Sequence, residues 1–97
     1  MDDRTPCLVP GCRRTCKAEG FDEWICAKHW RGVPKLLRSR KNKLWARYRR
    51  RFGTTPFWEF PSGSAQRIDA ARHARLMGRV WDKCRDEAIV ASFHDFL

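Results

Sequence analysis

Apolar residues recur at helical intervals just before the middle of the chain. Four of them share one face of a helix: Leu37, Leu44, Tyr48 and Phe52. Their separations of seven, four and four positions are typical of an amphipathic helix, whose apolar stripe faces a core. Pro34 suits the first helical position, and Gly53 suits the residue after the end. The pattern therefore predicts a helix over residues 34–52.

A second helical pattern extends over residues 65–95. Its apolar positions are Ile68, Met77, Val80, Trp81, Cys84, Ala88 and Ala91. Ser64 precedes the pattern and is a suitable N-cap, because its hydroxyl can accept a hydrogen bond from a backbone N–H of the first turn. The apolar surface that includes Val80, Trp81, Val90 and Phe93 exceeds what one shorter partner helix covers. The formation of a homodimer is therefore left open.

Residues 53–64 separate the two patterns and contain three aromatic residues, Phe57, Trp58 and Phe60. Prolines at positions 56 and 61 interrupt regular secondary structure, so the stretch is predicted to be a loop. Aromatic rings in a short loop usually close over a core, and that is the prediction here. An exposed surface that stacks on a partner is the alternative.

The first third of the chain is organised by cysteine and histidine instead of periodic apolar residues. Four residues separate Cys7 from Cys12, two separate Cys26 from His29, and thirteen lie between the pairs. Each pair can close on one small cation, because the intervening residues form a tight turn. Zinc prefers four thiolate and imidazole ligands in a tetrahedron. The spacing predicts a Zn²⁺ site on these four residues, within a zinc finger over residues 7–33.

Cys16 leaves the ligand set open. It can replace Cys12 as a ligand, or it can be a partly buried thiol outside the site. With four protein ligands the zinc would be structural, since a catalytic zinc keeps one position for water. Three apolar residues nearby are expected to pack over the metal: Phe21, Trp24 and Ile25.

Length and composition limit the class of protein. The chain has 97 residues, enough for one domain with a small core that a metal would help to stabilise. Its five cysteines are an odd number, and no apolar run follows Met1 as in a signal peptide. A reducing, cytoplasmic location is therefore expected. No stretch approaches the ~20 apolar residues of a membrane span, so no membrane partner is predicted.

The formal net charge of +10 is concentrated in one segment. Residues 28–59 contain eleven basic residues and one acidic residue, Glu59. A helix face with no acids is explained either as a solvated surface or as a binding surface for a polyanion. The predicted partner is nucleic acid, DNA rather than RNA, bound through its phosphates. The predicted contact residues are Arg38, Arg40, Lys41, Lys43, Arg47, Arg49, Arg50 and Arg51.

Catalytic chemistry is not indicated. His73 and His94 lie beside no evident nucleophile or carboxylate pair, and there is no glycine-rich phosphate loop. The chain is therefore predicted not to be an enzyme. Besides nucleic-acid binding, the second hypothesis is a protein-interaction module, and the third is a nuclease that works as a homo-oligomer.

Two segments, Cys7-Leu-Val-Pro-Gly-Cys12 and Trp24 to Pro34, resemble small zinc-finger proteins found largely in bacteriophages and prophages. The finger is also similar to the treble-clef-type modules that accompany HNH nucleases. The resemblance covers about residues 7–50. It implies zinc on Cys7, Cys12, Cys26 and His29, and it offers no catalytic residue. A phage protein would act in the bacterial host cytoplasm. The alternative function there is that of an adaptor or an inhibitor of a host enzyme, with a host or phage protein as the partner.

These features predict one mainly α domain over residues 1–97. An N-terminal zinc knuckle is expected to pack on an antiparallel two-helix hairpin. The stripe from Leu37 to Phe52 should face the stripe from Met77 to Ala88, and the aromatic loop should cap one end.

Overall fold

The computed structural model describes residues 4–17 and 22–94, which form a mainly helical fold with one small sheet. Strands β1 (Thr5–Pro6) and β2 (Thr15–Cys16) pair antiparallel, with Thr5 opposite Cys16. Three helices follow: α1 (Ala27–Trp30), α2 (Lys35–Phe52) and α3 (Ala65–His94). The predictions for Phe21 and for residue 95 lie outside the described residues.

The helix boundaries follow from local sequence signals. Helix α2 begins one residue after Pro34 and ends at Phe52, directly before Gly53. Ser64 caps α3, because its Oγ accepts a hydrogen bond from the Arg67 N–H at 3.1 Å. The predicted N-cap is therefore confirmed. The loop between the two helices contains a single 3-10 turn at Phe57–Glu59.

The chain divides into two compact units. Unit 1 combines Met1–Pro34 with Lys83–Leu97, and unit 2 is Lys35–Asp82. Helix α3 contributes to both units, because its 30 residues make it far longer than the 18-residue α2. At about 1.5 Å per residue, α3 extends on the order of 45 Å. Its residues up to Asp82 belong to unit 2, and those from Lys83 onward belong to unit 1.

Unit 2 is built around Phe52, the last residue of α2. The Phe52 ring lies 4.9 Å from Tyr48, 6.0 Å from Phe60 and 5.5 Å from His73, measured between ring centroids. Leu44 of α2 is buried as well. The predicted stripe thus lies on the less exposed face of α2, and His73 serves as a packing residue.

The aromatic loop is only partly internal. Phe60 contacts the buried Phe52 ring, as a loop that closes over a core should. Trp58 is 62% exposed, which corrects the prediction for this residue. Its ring contacts its neighbour Phe57 edge-on, with 5.2 Å between the ring centroids.

Unit 1 has a small core shared by the finger and the end of α3. Its buried side chains are Val9, Ile25, Cys26, Val33, Cys84 and Ala88, with Cys7 beside them. Gly32 and Ala91 approach so closely that a Cβ on Gly32 would lie 2.8 Å from the Ala91 Cβ. Cys84 and Ala88 therefore belong to the unit that contains the finger, whereas the sequence pattern placed them opposite α2.

Across residues 4–17 and 22–94, no helix combines the length and apolar character needed to cross a membrane.

Candidate metal centre and basic helix

The first cysteine pair is held by a tight turn. The Cys12 N–H donates to the Val9 carbonyl oxygen at 3.1 Å, and Gly11 has φ of +83°. In the turn from Val9 to Cys12, proline occupies the second position and a glycine with positive φ occupies the third, which are the features of a type II turn. Gly11 adopts that φ without a Cβ clash. The turn brings Cys12 back toward Cys7.

The second pair is positioned by backbone pairing and by a helix. The Leu8 N–H donates to the Trp24 carbonyl oxygen at 2.8 Å, which places Cys7 beside the segment leading to Cys26. Cys26 is the N-cap of α1, and His29 lies three residues later in the same turn. Residues three apart in a helix share one face, so both side chains point toward the first pair.

The four predicted ligands converge. One donor atom each from Cys7, Cys12, Cys26 and His29 lies within 4.8 Å of the others. The Cys12 and Cys26 Sγ atoms are 3.9 Å apart, and His29 Nδ1 lies 3.7 Å from Cys7 Sγ and 3.2 Å from Cys26 Sγ. This arrangement is compatible with a bound metal ion.

The separations can be compared with those that a tetrahedral zinc site requires. Zn–S bonds of about 2.3 Å and a Zn–N bond of about 2.0 Å place the ligand atoms on the order of 3.5–3.8 Å apart. The observed separations bracket that range. The separation of 3.9 Å between the Cys12 and Cys26 Sγ atoms also exceeds the ~2.05 Å of a disulfide bond, and all five cysteines are free thiols.

Cys16 is not one of the converging residues. It lies in β2 and is half-buried, outside the one group of metal-ligand side chains found in the described parts of the chain. The set with Cys12 is therefore the one that the fold brings together.

The two buried thiols of the cluster, Cys7 and Cys26, have opposite pKa shifts. Burial raises the pKa of Cys7 above its usual value. Burial by itself would raise the pKa of Cys26 as well. Hydrogen bonds from the His29 and Lys28 backbone and from the other thiols outweigh that effect, so the Cys26 pKa is lowered. The Cys26 N–H also donates to Cys7 Sγ at 3.3 Å. Amide donors at these sulfurs stabilise the thiolate form that a metal requires.

The eight predicted phosphate contacts lie at different positions around α2. Exposed side chains are those of Arg40, Lys43, Arg47, Arg49, Arg50 and Arg51, whereas Arg38 and Lys41 are half-buried. Four of the exposed residues, spaced three, four and three apart, form one row along the helix: Arg40, Lys43, Arg47 and Arg50. Helix α2 itself contains no acidic residue.

Other basic residues of α2 have partners within unit 2. Arg51 forms an ion pair with Asp69 of α3 and also lies over the Phe52 ring. The Lys41 ammonium lies 4.8 Å from the centroid of the Trp45 ring. These two side chains contribute to the structure of unit 2 and are less available to an external anion than the row.

The charge is divided unequally between the two units. Unit 2 contains thirteen basic and three acidic residues, a net charge of +10, whereas unit 1 contains eight of each. The sequence showed the excess in residues 28–59 but not this division. It also gave no signal for a groove in unit 1 that is lined by Arg13, Arg14 and Lys28.

Comparison with known proteins does not identify the chain. No protein-family model, curated protein or solved structure matches it. The class that the fold and site define is a mainly helical protein with a Cys₃His cluster suited to a metal ion.

Proposed function

We propose that this chain is a zinc-stabilised nucleic-acid-binding protein whose helix α2 contacts the phosphate backbone of duplex DNA with little sequence preference. One observation carries the proposal. The row of Arg40, Lys43, Arg47 and Arg50 is exposed on one face of α2, and no acidic side chain pairs with it in the described parts of the chain.

A solvated surface is the competing explanation, and the charge distribution argues against it. Like charges at i and i+3 or i+4 destabilise a helix by a few tenths of a kcal/mol per pair. Evenly solvated surfaces usually intersperse both signs. Here the whole excess of +10 lies in unit 2. A phosphate backbone neutralises such a row, and guanidinium groups can contact two phosphate oxygens at once.

DNA is proposed over RNA on the shape of the grooves. The major groove of B-DNA admits an α-helix, whereas the major groove of A-form RNA is too narrow for side chains to enter. An 18-residue helix with a continuous basic row fits the wider groove. Binding that rests on phosphates gives little discrimination between sequences.

Zinc is proposed as the metal because three thiolates and one imidazole are a common structural zinc set. Such a site would fix the start of the segment that leads to α2. Pairing of α2 and α3 as antiparallel neighbours within unit 2 belongs to the same proposal. Its support is the pair of contacts from Arg51 to Asp69 and from Phe52 to His73.

The test of DNA binding is a titration of fluorescent duplex DNA at several salt concentrations. The slope of log affinity against log salt should be about −0.9 for each phosphate neutralised. Replacing Arg40, Lys43 and Arg47 by glutamine should reduce the size of the slope by about 2.7. Glutamine is a good helix former, so α2 should persist.

A charge-matched variant controls for net charge. Arg72, Arg75 and Arg79 are exposed residues of α3 in the same unit, and their replacement by glutamine removes the same charge. This variant should retain most of the affinity. Equal losses from both variants would show that binding follows net charge, and no binding by the unaltered chain would reject the proposal.

The metal is tested by elemental analysis of the purified protein and by cobalt substitution. One zinc per chain, and a visible cobalt spectrum typical of tetrahedral thiolate ligation, are expected. Cys12→Ser should remove the spectrum, whereas Cys16→Ser should leave it unchanged. The reverse result would transfer the ligand role to Cys16.

Protein interaction is the second candidate, and an exposed apolar pair favours it. Val90 and Phe93 are 52% and 58% exposed and lie three residues apart on α3. Val80, which the sequence grouped with them, is buried. Sedimentation of the purified chain with and without Val90→Ser and Phe93→Ser tests whether this pair forms a homodimer.

A further inference from the structure

The finger of unit 1 contains a groove that the proposed role of α2 does not use. The knuckle residues Val9 and Pro10 form part of its wall, and Ser92 of α3 lines it. Three basic residues line the same groove: Arg13, Arg14 and Lys28. All three side chains are exposed, and the described residues offer none of them an ion-pair partner.

The charge of this groove is local. Unit 1 as a whole has equal numbers of basic and acidic residues, so a general positive field does not explain the cluster. The described acidic residues of unit 1 are exposed, and none lines the groove: Asp22, Glu23, Asp86 and Glu87. A concave surface with one sign of charge and partly apolar walls concentrates the electrostatic field on a ligand of the opposite sign.

A simpler role for the three cations is to balance the metal site. Three thiolates and one neutral imidazole around a divalent ion carry a net charge of −1, and Cys12 and His29 line the same groove. One of the three cations suffices to offset that charge. The remaining positive charge faces the groove without an acidic partner.

We propose that this groove is a second phosphate-binding site, which holds the backbone of the same class of nucleic acid as α2. The inference rests on the proposed function for the identity of the ligand, but it assigns contacts to different residues in a different unit. Exposed side chains on the knuckle and at the start of α1 would contact phosphate oxygens. Contacts of this kind strengthen binding without reading sequence.

The test replaces Arg13, Arg14 and Lys28 together by glutamine and repeats the salt titration with the same duplex DNA. If each side chain neutralises one phosphate, the size of the log–log slope should fall by about 2.7. The matched control replaces Lys17, Arg31 and Lys83, which are exposed basic residues of unit 1 outside the groove. The control should leave the slope within about one unit of its original value.

Zinc content and amide NMR spectra are measured for each variant, so that a folding defect is recognised. If the groove variant does not fold, the unaltered protein answers the question: the backbone amide signals of residues 9, 11–14 and 28 should shift as duplex DNA is added. Inorganic phosphate serves as a second probe. Shifts with phosphate and none with DNA would overturn the inference.

The outcomes separate this inference from the function of α2. Loss of slope in both the groove variant and the α2 variant supports both sites. A normal slope in the groove variant, with a reduced slope in the α2 variant, rejects the groove alone. A reduced slope in the groove variant, with a normal slope in the α2 variant, supports the groove and rejects the proposed contacts of α2. Changed zinc retention with an unchanged slope would assign the three cations to the metal site.

Discussion

At the scale of single residues, Tyr48 shows how one side chain joins an element to the loop after it. Its hydroxyl donates a hydrogen bond to the Thr55 carbonyl oxygen at 2.6 Å. Burial raises the Tyr48 pKa above the usual value of 10.0, since the phenolate is poorly solvated there. The neutral form is therefore favoured in the folded state.

Stability should consequently fall at alkaline pH. A folded-state pKa above the unfolded-state pKa contributes stability that is present below about pH 10 and is lost as the pH rises through the folded-state value. Tyr48 is the only tyrosine, so tyrosinate absorbance reports on it directly. Tyr48→Phe should remove this part of the pH dependence and cost about 0.5–1.5 kcal/mol at neutral pH. A titration at the usual tyrosine pKa would contradict the prediction.

Gly32 is required by a close approach of two segments. Because a Cβ at this position would lie 2.8 Å from the Ala91 Cβ, Gly32→Ala forces the finger and α3 apart. The expected cost is about 1–3 kcal/mol of unfolding free energy, measured by urea denaturation. Adding Ala91→Gly should recover part of the loss, as a double-mutant cycle would show.

Gly78 provides the control for this substitution. A Cβ there has no neighbouring atom within 4 Å, and the position is an exposed site of α3. Gly78→Ala should stabilise the protein by about 0.8–1.0 kcal/mol through helix propensity. Similar losses at both glycines would mean that the contact with Ala91 is not the cause.

At the scale of elements, α3 depends on its cap as well as on its buried face. Ser64→Ala removes the hydroxyl that accepts from the Arg67 N–H and should cost about 1 kcal/mol. Thermal unfolding followed by circular dichroism measures the effect. Ser39→Ala, at an exposed position inside α2, should instead be neutral or slightly stabilising. A neutral result at Ser64 would exclude the cap as a source of stability.

Helix α3 also shows where periodicity fails to predict contacts. Its apolar positions identify the buried face at Val80, Cys84 and Ala88. They do not indicate that the last two belong with the finger and not with α2. Both units bury apolar side chains of α3, so the repeat along the helix contains no signal for the change of partner.

At the scale of the whole molecule, the finger and the end of α3 form one unit although about fifty positions separate them in the sequence. Removal of a bound metal should affect both together, because the candidate metal site and the small core of unit 1 share Cys7 and Cys26. With a chelator, hydrogen exchange should accelerate in residues 4–17, 22–34 and 83–94 and remain slower in α2. Added zinc should restore protection, whereas magnesium should not. Loss confined to the finger would contradict this grouping.

The charge distribution of the whole molecule determines how the proposed DNA binding should depend on salt and on DNA sequence. All of the excess positive charge lies in unit 2, and the basic groove of unit 1 is a local exception. Strong salt dependence and little sequence preference follow from binding through phosphates. The proposals for α2 and for the groove differ only in which residues supply those contacts.

The sequence by itself determined the features that depend on neighbouring positions. Spacing between Cys7 and Cys12 and between Cys26 and His29 indicated a metal cluster, because turn and helix geometry place such residues together. Caps and breakers located the helix ends, since Ser64 and Pro34 act within one turn.

Only the tertiary structure determined the contacts between distant segments. It separated Cys12 from Cys16, paired Arg51 with Asp69, set Gly32 against Ala91 and brought Arg13 and Lys28 to one groove. Those contacts join segments that are distant in the chain, and they depend on packing that no local pattern specifies.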